Sequence, residues 1–157
     1  MRRIALLIVI AAATIAIIAP GAHAIGVYGI YWNPKTGDEE GYGGGLKYES
    51  SLTPLITLDG RFSYVLFSDE NDTSIMPFEV TACVKLGTLY GGLGLGYYTF
   101  GGDLDIDSDF GWYLLAGISI LPGPVSVFGE FKWQNLEPMD NVDLESYVFH
   151  LGASFGK

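Results

Sequence analysis

The chain is poor in the residues that most often carry chemistry. Of its 157 residues, one is a cysteine and two are histidines. Cys83 stands alone, so no intrachain disulfide can form and the fold must hold without one. It reads as a small apolar residue packed within a strand. Positive charge is scarce as well, with eight Lys and Arg against 18 Asp and Glu. That balance excludes a nucleic-acid binder, which needs a basic face against the phosphates. Beyond residue 24 there is also no apolar run near the ~20 residues that a membrane-spanning helix requires.

The first 24 residues differ from the rest. Arg2 and Arg3 make a basic start, and Ile4 to Ile18 are apolar except for Thr14. Pro20 and Gly21 interrupt that run, and Ala22-His23-Ala24 supplies the small-x-small pattern that a signal peptidase reads. The run is short for a transmembrane anchor. Residue 25 is Ile rather than Cys, which argues against a lipoprotein. The expectation is a signal peptide over 1–24 and an exported domain over 25–157. That domain carries six basic and 18 acidic residues, a net charge of −12.

What the exported part does have is alternation. Stretches of about ten residues switch between apolar and polar with period two, separated by Gly, Pro and Asp. They predict eight strands, at 25–33, 41–51, 55–67, 76–87, 89–100, 110–121, 125–135 and 145–156. In the third, Ile56, Leu58, Phe62, Tyr64 and Leu66 face one way and Thr57, Asp59, Arg61 and Ser63 the other. The fourth, seventh and eighth repeat this. Strands one and six alternate poorly, which leaves their facing open. The connections alternate too. Leu52-Thr53-Pro54, Gly87-Thr88 and Pro122-Gly123-Pro124 are tight, whereas 34–40, 68–75, 101–109 and 136–144 are longer and acidic. Short turns at one end and long loops at the other are the plan of an outer-membrane barrel.

Period two does not say which face is inside. Bulky apolar residues, about five per strand, overfill the interior of eight strands, which is just wide enough for side chains. Gly41, Gly43 and Gly45 in strand two, and Gly92, Gly94 and Gly96 in strand five, fit the inner face and leave room for long polar side chains. Aromatic residues fall near the long-loop end and suggest a girdle at the headgroup boundary: Trp32, Tyr42, Tyr64, Phe78, Tyr97, Trp112, Trp133 and Tyr147. The inner face would hold Lys47, Glu49, Asp59, Arg61, Glu79, Lys85, Glu130 and Lys132, four of each sign. Enclosed charges must be paired, and this set balances. The other 14 acids fall at the long loops, where Lys35 is the sole base. These observations favour a membrane barrel over a soluble lipocalin-like one that binds an apolar ligand.

Two segments look like ligand sites and are read more plainly. Asp103-Leu104-Asp105-Ile106-Asp107-Ser108-Asp109 has the spacing of a calcium loop, without the sixth-position Gly or the twelfth-position acid, where Leu114 stands. It is taken as a solvated acidic loop, with weak divalent-cation binding as the second reading. Gly91-Gly92-Leu93-Gly94-Leu95-Gly96 is not followed by a helix and is not a phosphate loop.

In architecture the whole exported part resembles the small outer-membrane β-barrels, the OmpA/OmpX-like, porin-like group. Gly129-Glu130-Phe131-Lys132-Trp133 is similar to that group's Glu-aromatic-basic-aromatic pattern, and Leu151-Gly152-Ala153-Ser154-Phe155 to its closing strand. Members end on an aromatic residue that the barrel-assembly machinery recognises, whereas here Gly156-Lys157 follows Phe155. The resemblance implies a bacterial outer membrane, contact with bilayer and lipopolysaccharide, and loops facing the exterior. It implies no single activity, since the fold hosts adhesins, anchors and lipid A-modifying enzymes. The enzymes use a Ser and a His. His150 is the one histidine beyond residue 24, and Ser146 and Ser154 on its face are about 13 Å away along the strand. The reading is an eight-stranded up-and-down barrel without cofactor or catalytic residue, acting structurally or through its surface; a lipid A-modifying enzyme, with its Ser supplied by another strand, is the alternative.

Overall fold

A computed structural model describes residues 22–35, 40–68, 73–101, 109–120, 124–139 and 142–156. The chain forms eight strands: β1 (His23–Pro34), β2 (Gly41–Ser51), β3 (Ile56–Phe67), β4 (Ser74–Leu86), β5 (Leu89–Gly101), β6 (Asp109–Ile120), β7 (Val125–Met139) and β8 (Val142–Gly156). Each pairs antiparallel with the next, and β8 returns to β1, closing the barrel. Closure satisfies every strand edge, which a sheet surrounded by lipid requires.

Local chemistry sets the turns. Between β4 and β5, Leu86 pairs with Leu89 and Gly87 takes a φ of 68°. A two-residue hairpin needs that left-handed backbone, and glycine adopts it without strain. Between β2 and β3, the Thr53 hydroxyl accepts the Ile56 amide at 2.9 Å, and Ile56 O accepts the Leu52 amide at 2.9 Å. The β3–β4 pairing is interrupted where Ser63 and Tyr64 stand opposite Pro77 and Met76. Pro77 has no N–H to contribute there.

Expected and observed strands agree in number and order. The largest difference lies at β7 and β8, which extend to Met139 and from Val142. Most of the segment expected as a loop over 136–144 is thus a projecting hairpin, with a register shift between Leu136 and Met139. Two-residue alternation ends before that hairpin does, so the pattern gave no sign of it.

The outer face is apolar. Leu46, Phe62, Leu66, Phe78, Leu93, Leu114, Leu151 and many like them are exposed. Ten residue steps from Ile56 to Leu66, tilted as in small barrels, give a band about 24 Å tall. That matches the ~25 Å apolar belt of an outer-membrane barrel. Among the described residues, charged side chains on this face occur only at the loop-end rim, as Lys35, Glu40 and Glu145. The facing of β1 and β6 is now fixed. Gly26, Tyr28, Ile30 and Trp32 point inward from β1, and Gly111, Tyr113 and Leu115 from β6.

Candidate functional site

The lumen is where this chain concentrates its ionisable groups. All eight residues of the expected network lie on the inner face, with Lys47, Asp59, Arg61, Glu79, Glu130 and Lys132 buried and Glu49 and Lys85 partly exposed at the turn end. β3 delivers Asp59 and Arg61, and β7 delivers Glu130 and Lys132, because residues two apart in a strand share a face.

Glu130 is the hub. Arg61 donates to it through two nitrogens, at 2.5 and 3.0 Å, and Tyr90 Oη donates at 2.7 Å. His150 Nδ1 lies 3.0 Å from its second oxygen. Arg61 also reaches Asp59 at 2.9 Å. Above the hub, Glu79 accepts Lys132 at 2.5 Å and Tyr98 Oη at 2.8 Å. Towards the turns, Lys85 pairs with Glu49. A forked guanidinium on a carboxylate is the strong form of ion pair, and it fixes geometry as well as charge. The arrangement ties β3, β5, β7 and β8 together across the lumen. That holds the barrel in register.

His150 is buried at 4 % exposure, with its Nδ1 on Glu130 and its ring 4.9 Å from that of Tyr28. No serine bonds it in the described structure. Cys83 is buried beside Asp59, 3.9 Å from its carboxylate. Among the described residues, no group of His, Cys, Asp and Glu is placed to hold a metal ion. Asp103 to Ser108, the segment with calcium-loop spacing, lie outside the described residues.

Two expectations need correction. The lumen is not polar throughout. At the loop end Ile30, Trp32, Val65, Ile75, Tyr98 and Val148 pack into an apolar plug. Trp32, assigned above to the girdle, belongs to that plug at 2 % exposure, edge-on to Phe67 and Tyr98. It shares the parity of Tyr28 and Ile30, so it faces in, and Tyr31 occupies the outward position. The second correction concerns the glycines. Gly45, Gly94 and Gly96 do not leave space for long polar chains; the rings of Tyr28, Tyr113 and Tyr98 lie against them, where a Cβ would collide, and that of Tyr90 lies in the same way against Gly117 of β6. The tyrosine hydroxyls then reach Ser63, Thr81, Glu79 and Glu130. Counting by twos from Gly94 places Tyr90 and Tyr98 inside, so half of this pattern was present in the sequence.

Outward, aromatic rings touch from Tyr147 through Phe131, Phe149 and Tyr31 to Tyr42, and Trp112 and Trp133 form a separate pair. Phe62–Phe78 and Tyr97–Phe110 add two further pairs, and Tyr64 is exposed nearby. Polar edges of these rings are tied to rim carboxylates. Tyr42 and Tyr31 donate to Glu40 at 2.6 and 2.7 Å, and these bonds hold its carboxyl below the usual range. Trp133 Nε1 donates to Glu145 at 2.6 Å, and Lys35 pairs with the same carboxylate at 2.5 Å. Rings with one wet edge suit a headgroup boundary.

No known protein family and no curated protein sequence matches the chain. Solved structures do. Neisserial surface protein A is similar with a TM-score of 0.76 at 14 % identity, over 87 % of this chain and 99 % of that one. Ail, the attachment invasion locus protein of Yersinia pestis, gives 0.59 at 21 % identity over 87 % and 99 %. The outer-membrane protein OprG of Pseudomonas aeruginosa gives 0.62 at 12 % over 87 % and 96 %. At such identities the likeness speaks for the fold alone, and that fold is the small eight-stranded outer-membrane β-barrel.

Proposed function

We propose that the protein is an integral outer-membrane barrel of a Gram-negative-type bacterium, exported with residues 1–24 as a signal peptide. Its role is structural or surface-interactive rather than enzymatic. One observation carries this reading: among the described residues the outer face is an apolar belt without charge below the aromatic rim, while Lys47, Asp59, Arg61, Glu79, Glu130 and Lys132 are enclosed within. A water-soluble barrel would need the reverse. The absence of catalysis is supported by His150, which is buried among Glu130 and Tyr28 with no serine bonded to it among the described residues.

The surface role rests on charge. In sequence, 14 of the 18 acids fall in or beside the four expected long loops, where Lys35 is the one base. Acidic loops of this kind suit partners that bring positive charge, including divalent cations shared with the phosphates of lipopolysaccharide. Assembly into the membrane would go through the barrel-assembly machinery. Cell fractionation tests the location, together with gel mobility of boiled and unboiled samples. The mature chain should need detergent for extraction and should migrate differently when unboiled. Recovery in the soluble periplasmic fraction contradicts the reading.

A further inference from the structure

The lumen is sealed at the loop end by the Trp32 plug, but it is open at the turn end, where a cavity of about 410 Å³ enters the barrel. Lys47, Glu49, Lys85 and Phe128 are among its lining residues, as are His23 and Ala24 of the proposed signal peptide, so the mouth is wider once that segment is removed. A volume of this size falls in the range of small-molecule sites. We propose that this vestibule binds a small anion of the carboxylate or phosphate class, with Lys47 as its anchor. The proposal is independent of the surface role given above.

The argument turns on how the four lumen cations are shared. Arg61 serves Glu130 and Asp59, Lys132 serves Glu79, and Lys85 serves Glu49. Lys47 is the least closely paired of the four, and it shares both of its carboxylates with other cations. Its ammonium is 3.4 Å from Glu130 and 3.7 Å from Glu49, both already held closely by other cations. An ammonium carries three N–H donors, and here the one hydrogen bond to a carboxylate is the 3.4 Å contact with Glu130. The side chain is only 3 % exposed, so bulk water compensates little. Its Nζ sits 3.9 Å over the Phe128 ring and 5.8 Å over that of Tyr90, and Lys47 is one of the residues that line the vestibule.

The remaining lining suits an oxyanion. Ser51, Ser119, Ser126 and Ser154 line the mouth, with the hydroxyls of Ser119 and Ser126 bonded to each other at 2.6 Å. Two lysines line it against one carboxylate, Glu49, which is already paired with Lys85. A bound carboxylate or phosphate oxygen would give Lys47 the short charge-assisted bond that its protein neighbours do not supply. Because the plug blocks the loop end, the ligand would enter and leave past the short turns, the periplasmic side in barrels of this plan.

The test uses the full barrel folded in lipid nanodiscs, titrated separately with inorganic phosphate and with acetate. Binding is read from NMR shifts at the vestibule residues. Saturable shifts in either arm support the site, and the arm that saturates names the ligand class. Lys47→Met should weaken that binding at least tenfold. Should Lys47→Met not fold, Ser126→Leu decides, since it fills the mouth without touching the charge network and should abolish saturation. Shifts that stay linear in both arms overturn the proposal, as does saturation unchanged in the variant that decides.

Discussion

Arg61 and Glu130 meet across the lumen as a two-pronged ion pair, 69 residues apart in sequence and both buried. Neither β2, which neighbours Arg61, nor β6, which neighbours Glu130, brings them together; only the closed barrel does. The pair is therefore a reporter of the fold as a whole. It places charge inside and leaves lipid outside.

The lipid face should resist charge. Leu93 is exposed on the outer face of β5, and Leu93→Arg should weaken the barrel by about 2–4 kcal/mol if the position lies near the bilayer midplane. Unfolding in bilayers of defined composition measures it. A loss that stays the same when the arginine is moved to the belt's edge, at Leu86, contradicts the assigned face.

Inside, the opposite substitution should be tolerated. Thr57 is 2 % exposed and its hydroxyl has no hydrogen-bond partner. Replacing an unpartnered buried hydroxyl by a methyl of the same shape is near neutral or stabilising, so Thr57→Val should change stability by no more than about 0.5 kcal/mol in the destabilising direction. Denaturant midpoints compare the two proteins. Aggregation of a water-soluble variant would place Thr57 on the outside.

Glycine positions offer a steric contrast. A Cβ at Gly94 meets the Tyr113 ring, whereas one at Gly60 meets nothing within 4 Å. Gly94→Ala should cost about 1–3 kcal/mol through overpacking, while Gly60→Ala should be neutral or slightly favourable in a strand. Equal effects at both sites would mean that the tyrosine rings do not rest on the glycines.

The plug makes a prediction about transport. With Trp32, Val65, Tyr98 and Val148 closing the loop end, one chain in a planar bilayer should pass small ions at most. Stable conductance that admits sugars or amino acids contradicts the closed lumen.

Most of the fold was legible because period two is a backbone property. Where one face is apolar and the other polar, as in β3, parity alone assigns each side chain, and Asp59, Arg61, Glu79 and Glu130 follow. Parity fails where both faces are apolar. β1 sends Tyr28, Ile30 and Trp32 inward and Ile25, Val27 and Tyr31 outward, so nothing in its composition marks the lumen side. Composition alone therefore assigns Trp32 to the girdle, where the structure has Tyr31. The site was less legible than the fold. Sequence gave the balance of charges but not their partners, because pairing depends on which strands face across the closed barrel. It was also silent on Lys47, whose distinction is the distance to carboxylates that others already hold.

The central claim, that charge is enclosed and the apolar face meets lipid, is tested most directly by comparing Glu130→Ala with Lys35→Ala in urea unfolding from lipid bilayers. Glu130 is fully enclosed, and its loss leaves Arg61 in the interior with Asp59 alone for a close partner. Breaking a buried pair from one side costs about 3–5 kcal/mol. Lys35 is 52 % exposed at the rim, where a salt bridge is worth roughly 0–1 kcal/mol. The account predicts a large loss for Glu130→Ala and little change for Lys35→Ala. Equal and negligible effects would mean that the charged face looks into water, and the barrel would be inside out.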